Sequence, residues 1–310
     1  HGTYIYGDWE TGRIWALRNL ENQLTSHREL CDTSLKPVSF ALDPQGELLI
    51  LDHNSGIYGL VPNPVLETES TFPTRLSETG LFSHIDPLTP APGTTSYKPI
   101  APMWNDHAKA QWLLGVPGDG SMAQRGGVGD ITGGNWFYPT NTVLARTLTL
   151  QMDTSNPKSK RRIETQMFHW DGQEWNPYTY HWNDEQTDAK LVPMNGASAQ
   201  FKVTDPKAPG GFREIPWRFH SRSECLRCHN VWSGIPLTLN PLQLGSGEGS
   251  EMERLTKLGL MASNNRGRNR GRRRNDNTPL VNPHDENQST NTRARSWLHV
   301  NCGSCHIYGA

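Results

Sequence analysis

The chain is short of cysteine, of apolar residues and of net charge, and it has no long hydrophobic run. Of its five cysteines, four belong to one repeated pattern, so only Cys31 is left over and it reads as a buried or adventitious thiol. No run of eighteen apolar residues occurs, so no segment is expected to span a bilayer as a helix. Thirty basic and thirty-one acidic residues leave a net charge of −1, and no global field draws the molecule toward nucleic acid or a membrane. Apolar residues reach only 34%, partly offset by eleven tryptophans, each of which buries much area. The start has no initiator methionine, basic n-region or apolar h-region. Instead His1 opens directly into "GTYIYGDWETGRIWAL", which reads as strand. The expectation is a fragment, truncated at both ends of a 310-residue stretch that holds two or three domains.

The repeated pattern is Cys-x-x-Cys-His. It occurs as Cys225, Cys228 and His229 in "ECLRCHN", and as Cys302, Cys305 and His306 in "NCGSCHIYGA". Two thiols three positions apart can each add across a vinyl group of haem, and the adjacent histidine then reaches the iron as proximal ligand. A lone CxxC also occurs as a redox disulfide or half of a zinc site. Paired CxxC units in zinc ribbons, however, lie about 15–20 residues apart. The far longer gap here, and the histidine in both copies, predict two c-type haems. Distal ligands are less specified. Met252, Met261 and His284 are candidates for the first iron, and Glu251 or His284 could serve as a distal acid–base group. His220 and His299 precede their motifs by five and three residues, and the distal ligand of the second haem is expected beyond Ala310.

Along the chain, residues 1–64 carry short strands punctuated by "ETG", "DPQG" and "HNSG", the dimensions of one four-stranded propeller blade. Residues 65–102, rich in Pro, Thr and Ser, read as an extended linker. Residues 103–217 read as a β-rich, sandwich-like domain. In it "NTVLARTLTLQM" is a strand and "RRIETQMFHWDGQEWNPYTYHW" a hairpin turned at "DGQ". Alternation puts Ile163, Thr165 and Met167 on one face and Glu164, Gln166 and Phe168 on the other. Residues 218–290 read as a first haem module and 291–310 as the start of a second. Both are α-helical and cytochrome c-like, with Met252, Leu255, Leu258 and Leu260 on one helix side and Ala294, Trp297, Leu298 and Cys302 on another.

Two charged stretches have bland accounts. Asp184, Glu185 and Asp188 permit a calcium or substrate site, but the spacing lacks an EF-hand pattern and suits a solvated turn. Six arginines between Arg266 and Arg274 suit a solvated loop or the docking of an acidic redox partner better than nucleic acid, because no aromatic side chains are interleaved.

"YIYGDWETGRIWAL" and "GELLILDHNSGIYGL" resemble the closing blade of PQQ-dependent glucose/sorbosone dehydrogenases. "FPTRLSETGLF", "APMWNDHAKAQWLL", "RRIETQMFHW", "YHWNDEQTDAKLV", "SRSECLRCHN", "LNPLQL" and "RARSWLHVNCGSCH" together resemble the planctomycete and proteobacterial diheme c-type cytochrome-like family. The resemblance implies an exported, periplasmic multidomain protein. Two covalent haems would pass electrons from an upstream PQQ-bearing sugar or alcohol dehydrogenase to a redox partner protein or terminal acceptor. A diheme peroxidase-like enzyme, and a zinc-binding protein that recognises carbohydrate or a partner surface, are the alternatives.

Overall fold

The computed structural model describes residues 2–9, 12–21, 23–33, 35–53, 56–62, 72–124, 136–229, 233, 235–262, 279–303 and 306. The arginine-rich stretch 266–274 and Cys305 lie outside the described residues. The chain divides into two compact units. His1–Pro73, Pro193–Ala197 and His220–Arg227 form the first; Thr74–Val192, Ser198–Phe219 and Cys228–Ala310 form the second.

The first unit contains six strands: β1 Thr3–Gly7, β2 Arg13–Leu20, β3 Gln23–Asp32, β4 Pro37–Leu42, β5 Leu48–Asp52 and β6 Ile57–Gly59. Alternation on β2 buries Ile14 and Ala16, and Ile50 is buried on β5. The turn between β4 and β5 closes because the Asp43 carboxylate accepts from the backbone N–H groups of Gln45 and Glu47 at 2.9 and 2.7 Å. These strands form two three-stranded antiparallel sheets, β1-β2-β3 and β4-β5-β6, so the single four-stranded propeller blade is corrected. The unexpected element is β3. Its sequence, QLTSHRELCD, has no apolar alternation, and residues 23–29 are exposed. Ladder hydrogen bonds to β2, rather than side-chain burial, hold it in place.

The second unit contains β7 Phe82–His84, β8 Thr89–Pro90, β9 Thr94–Tyr97, β10 Lys109–Gly115, β11 Ala123–Gln124, β12 Trp136–Phe137, β13 Val143–Gln151, β14 Lys160–Trp170, β15 Trp175–Trp182, β16 Ala189–Leu191, β17 Ala197–Thr204 and β18 Phe212–Phe219. Its centre is a six-stranded antiparallel sheet in the order β16-β15-β14-β13-β10-β9. The β14–β15 hairpin pairs Trp170 with Trp175. Its turn is stabilised by Asp171, whose carboxylate accepts from Gln173 N and Glu174 N at 2.8 Å each. Gly172 adopts φ +103°, and a Cβ there would meet Thr140 Oγ1 at 2.9 Å, so glycine is required on both counts. Ile163, Glu164, Thr165 and Met167 are all buried, so β14 is covered on both faces. On one face β18 supplies Trp217 and Phe219, compatible with the layered β-rich middle region.

The expected α-helical, cytochrome c-like C-terminal region is not what forms. Among the described residues 42% are strand and 15% helix. The helices are α1 Arg222–Cys228, α2 Pro241–Leu244, α3 Glu251–Lys257 and α4 Thr290–Cys302. Capping explains the starts: Ser250 and Ser289 accept from the N–H groups three residues on. The apolar spacing of Met252, Leu255, Leu258 and Leu260 overstates α3. Its helix is capped at Leu258, which is 54% exposed, and Gly259 turns the chain away at φ +77°. Leu260 instead accepts from Met122 N at 2.8 Å as irregular backbone. On α4 the buried residues are Ser296 and Val300, while Trp297 and Leu298 face outward. Val300 packs with Ala101 and Leu280.

Candidate functional site

The central sheet builds the floor of a cleft by register. Tyr97 pairs with Trp112, Trp112 with Arg146, and Arg146 with Gln166, so four strands place these side chains in one row on one face. The next row on that face holds Leu114, Leu144 and Phe168. His229 and residues 235–238 lie against these rows. The imidazole of His229 lies 4.4 Å from the ring of Phe168, Tyr97 Oη is 2.7 Å from Thr238 Oγ1, and Trp136 Nε1 donates to Leu239 O at 2.8 Å. The cavity between them is small, about 50 Å³. Trp112, Phe168, Trp175, Met103, His229 and Arg146 are among its walls.

Of the first motif only His229 lines this cleft; Cys225 and Cys228 belong to α1, which precedes it. The sequence Ser-x-x-Glu at the start of α1 closes a reciprocal cap: Ser221 Oγ accepts from Glu224 N at 3.1 Å, and Glu224 accepts from Ser221 N at 2.7 Å. Ser233 Oγ donates to the Cys228 carbonyl at 2.6 Å and satisfies the other end of the helix. Cys225 and Cys228 therefore sit three positions apart on a short, well-terminated helix, and His229 follows directly. His229 Nδ1 is 2.6 Å from the carbonyl of Ile235. That carbonyl is aimed by a strained residue, because Ile235 has φ +44°, a conformation a β-branched side chain resists at about 1–3 kcal/mol. Desolvation pushes the imidazole pKa down to about 4, with Arg146 also lowering it and the Ile235 hydrogen bond opposing. The ring is neutral at pH 7, with its proton on Nδ1 and its lone pair on Nε2.

The polar part of the cleft is a chain of side chains that sequence reasoning did not single out. Arg146 Nε donates to Gln166 Oε1 at 2.7 Å, and its Nη1 donates to Asn105 Oδ1 at 3.2 Å. Gln166 Nε2 then donates to Glu164 Oε1 at 2.6 Å, and Trp217 Nε1 donates to Oε2 at 2.8 Å. Burial pushes the Glu164 carboxyl above its ordinary range, against the pull of Gln166, Trp217 and Arg146. Burial also drives the Tyr97 phenol up to about 12, with Thr238 and Arg146 opposing. The signal was present in the strands: Arg146 interrupts "VLARTLTL", and Glu164, Gln166 and Phe168 alternate onto one face.

The other candidate residues are placed elsewhere. Met252 packs half-buried, and Met261 fully buried, in the core cluster with Met122 and Leu255. His284 is exposed in a turn where its N–H donates to Asn282 Oδ1. Glu251 is paired with Arg254 at 2.6 Å. His220 belongs to the first unit and is exposed. Cys302 ends α4 half-buried, with His299 exposed one turn earlier. His306 is exposed and donates its backbone N–H to the Cys302 carbonyl at 2.9 Å. Neither Cys302 nor His306 lines the cleft. Asp184 and Asp188 are held by Arg161 at 2.6 Å and by Ser77 Oγ at 2.7 Å, within a hydrogen-bonded turn.

No family model, curated protein or solved structure matches the chain. Strand dominates and, among the described residues, no group of three or more His, Cys, Asp or Glu side chains is arranged to hold a metal ion. The resemblance to the diheme c-type cytochrome-like family, and to the closing PQQ-dehydrogenase blade, therefore does not hold. The segments that carried it serve other ends: "RRIETQMFHW" is a central strand, and "YHWNDEQTDAKLV" turns between β15 and β16.

Proposed function

We propose that this chain binds haem covalently at Cys225, Cys228 and His229 and transfers electrons as an exported, periplasmic protein. The observation that carries the reading is the 2.6 Å contact between His229 Nδ1 and the Ile235 carbonyl, in the wall of an aromatic cleft. Such a contact selects the tautomer that offers Nε2 to a metal and fixes the ring's orientation. The donor set suits the group: two thiols and one neutral imidazole within five residues, the imidazole beside apolar walls. Each thiol would add its sulfur to one vinyl carbon and its hydrogen to the other, with no net oxidation. When bound, haem supplies a one-electron ferric/ferrous couple.

The chain's own residues would do the rest. Trp112, Phe168 and Trp175 would supply apolar surface beside His229 and keep water from it. Arg146, held by Gln166 and Asn105, offers a positive charge to a propionate. The second motif, Cys302, Cys305 and His306, would take a second haem by the same chemistry. The partner would be a redox protein or a terminal acceptor. The test is a pyridine haemochrome spectrum of the chain matured in a bacterial periplasm, with haem counted per polypeptide. A c-type α-band supports the reading. Haem-free protein, with or without bound zinc, overturns it.

A further inference from the structure

One face of the sheet β1-β2-β3 is packed and the other is open. Ile14 and Ala16 point inward from β2, and a Cβ at Gly7, which pairs with Ile14, would meet the Phe40 ring at 3.1 Å. The outer face is built by register. Tyr4 pairs with Leu17 and Leu17 with His27, while Tyr6 pairs with Trp15 and Trp15 with Glu29, so all six side chains share it. Tyr4 is 66% exposed, and His27 is exposed on the far strand. Tyr6 Oη lies 2.7 Å from His27 Nε2, although β2 runs between their strands and sets them about 10 Å apart. A tyrosine that reaches so far must lie along the sheet. Its ring plane is within 20° of Trp15, 11° of His27 and 27° of Tyr4, with centroids 5.2, 6.0 and 6.2 Å away. The four rings form one flat aromatic table.

We infer that this table binds a neutral polysaccharide, an extended chain of β-1,4-linked pyranose rings that stack their C–H faces on the aromatic rings. Sugar C–H groups carry partial positive charge and aromatic faces partial negative charge, so the two surfaces attract and shed water together. Flatness suits a ribbon of equatorially linked sugars; a coiled chain would turn its rings out of the plane. Charge decides against the other ligand that stacks on flat rings. Single-stranded nucleic acid needs cations along its backbone. The two rows hold no lysine or arginine, and Arg13, the next residue on the same side of β2, is paired with Glu29 at 3.8 Å. The Tyr4 hydroxyl and the Glu29 carboxylate, one on each edge strand, offer hydrogen bonds to sugar hydroxyls. The contact between Tyr6 and His27 fixes the central ring before a sugar arrives, which lowers the entropy lost on binding. The table lies wholly in the first unit, and the inference is independent of haem attachment.

The experiment titrates the full chain with cellohexaose by isothermal calorimetry, with mannohexaose and xylohexaose as two further neutral β-1,4-linked chains. Saturable binding to at least one of them is expected. Tyr4→Ala and Trp15→Ala should each weaken it by about tenfold, the loss of one stacked ring. Tyr6→Phe keeps the ring and removes its anchor on His27, so it should cost less affinity than Tyr6→Ala. Tyr4 is so exposed that its variant keeps the fold even where Trp15→Ala loses it, and urea midpoints check both. Leu42→Ala, an exposed apolar change on β4, should leave binding unchanged. No binding to any of the three sugars, or binding that Tyr4→Ala and Tyr6→Ala leave intact, overturns the inference. So does tighter binding of oligothymidylate than of the sugars. A dimer in sedimentation that Tyr4→Ala converts to monomer also overturns it, since a second copy would then cover the table.

Discussion

Trp217 donates its indole N–H to Glu164 across 2.8 Å, inside a layer where the carboxylate is 1% exposed. Gln166 holds the other oxygen and links it to Arg146, so the charge in the cleft and the buried acid communicate through one side-chain amide. Neither partner of this relay is at the surface, and its proton balance should be visible in stability.

Glu164 holds its proton to higher pH when folded than when unfolded, because burial raises its pKa. The folded form therefore binds more protons over that interval. The contribution to stability is complete below the unfolded value of about 4.3 and is lost as pH rises through the raised folded value. Urea midpoints of the native chain should fall over that window. Glu164→Gln should flatten the slope, while costing about 1–3 kcal/mol throughout because one donor loses its acceptor. Equal slopes in the two proteins would refute the assignment.

Thr165 is fully buried and sits at the junction of two hydrogen bonds, 2.9 Å from Thr147 Oγ1 and 2.9 Å from Trp182 Nε1. Thr165→Val leaves both partners without it, at a cost of about 1–3 kcal/mol in denaturant titration. Adding Thr147→Val should cost less than the two single changes summed, because they share one bond. Haem content should not change, since Thr165 faces away from the cleft.

The two thiols should be separable. Cys225→Ala or Cys228→Ala alone should leave haem attached through one thioether, with the pyridine haemochrome α-band moved to longer wavelength. The double variant should release all haem from the first motif into acidified organic solvent. Retention of covalent haem at that motif in the double variant would rule out attachment through these sulfurs.

Gln243 is 2% exposed and makes both of its amide bonds to Ala101. Gln243→Ala should destabilise the second unit by about 2–4 kcal/mol, the sum of two buried backbone groups left unsatisfied. Denaturant titration of the native chain and the variant checks this, and an unchanged midpoint would refute it.

Local chemistry was legible wherever it was encoded within a few residues. The Asp171–Gly172 hairpin and the spacing of Cys225, Cys228 and His229 can both be read without coordinates. β3 could not be, because a strand held by backbone pairing alone leaves no apolar period. The extent of α3 was overstated for the opposite reason. Leu258 and Leu260 keep the helical spacing, yet Gly259 between them ends the helix. Trp297 and Leu298 misled similarly, since α4 buries a serine and a valine and turns its largest side chains outward.

By itself the sequence determined the motif, the turns and the strand alternation that puts Glu164, Gln166 and Phe168 on one side. Tertiary structure decided which partners those side chains meet. Antiparallel register aligned Tyr97, Trp112, Arg146 and Gln166 from four strands that are far apart in the chain. A strained Ile235 turned its carbonyl onto His229, and the paired hydrogen bonds of Gln243 with Ala101 joined segments well over a hundred residues apart. Such placements depend on packing and loop closure between distant segments, and no short window of sequence carries them.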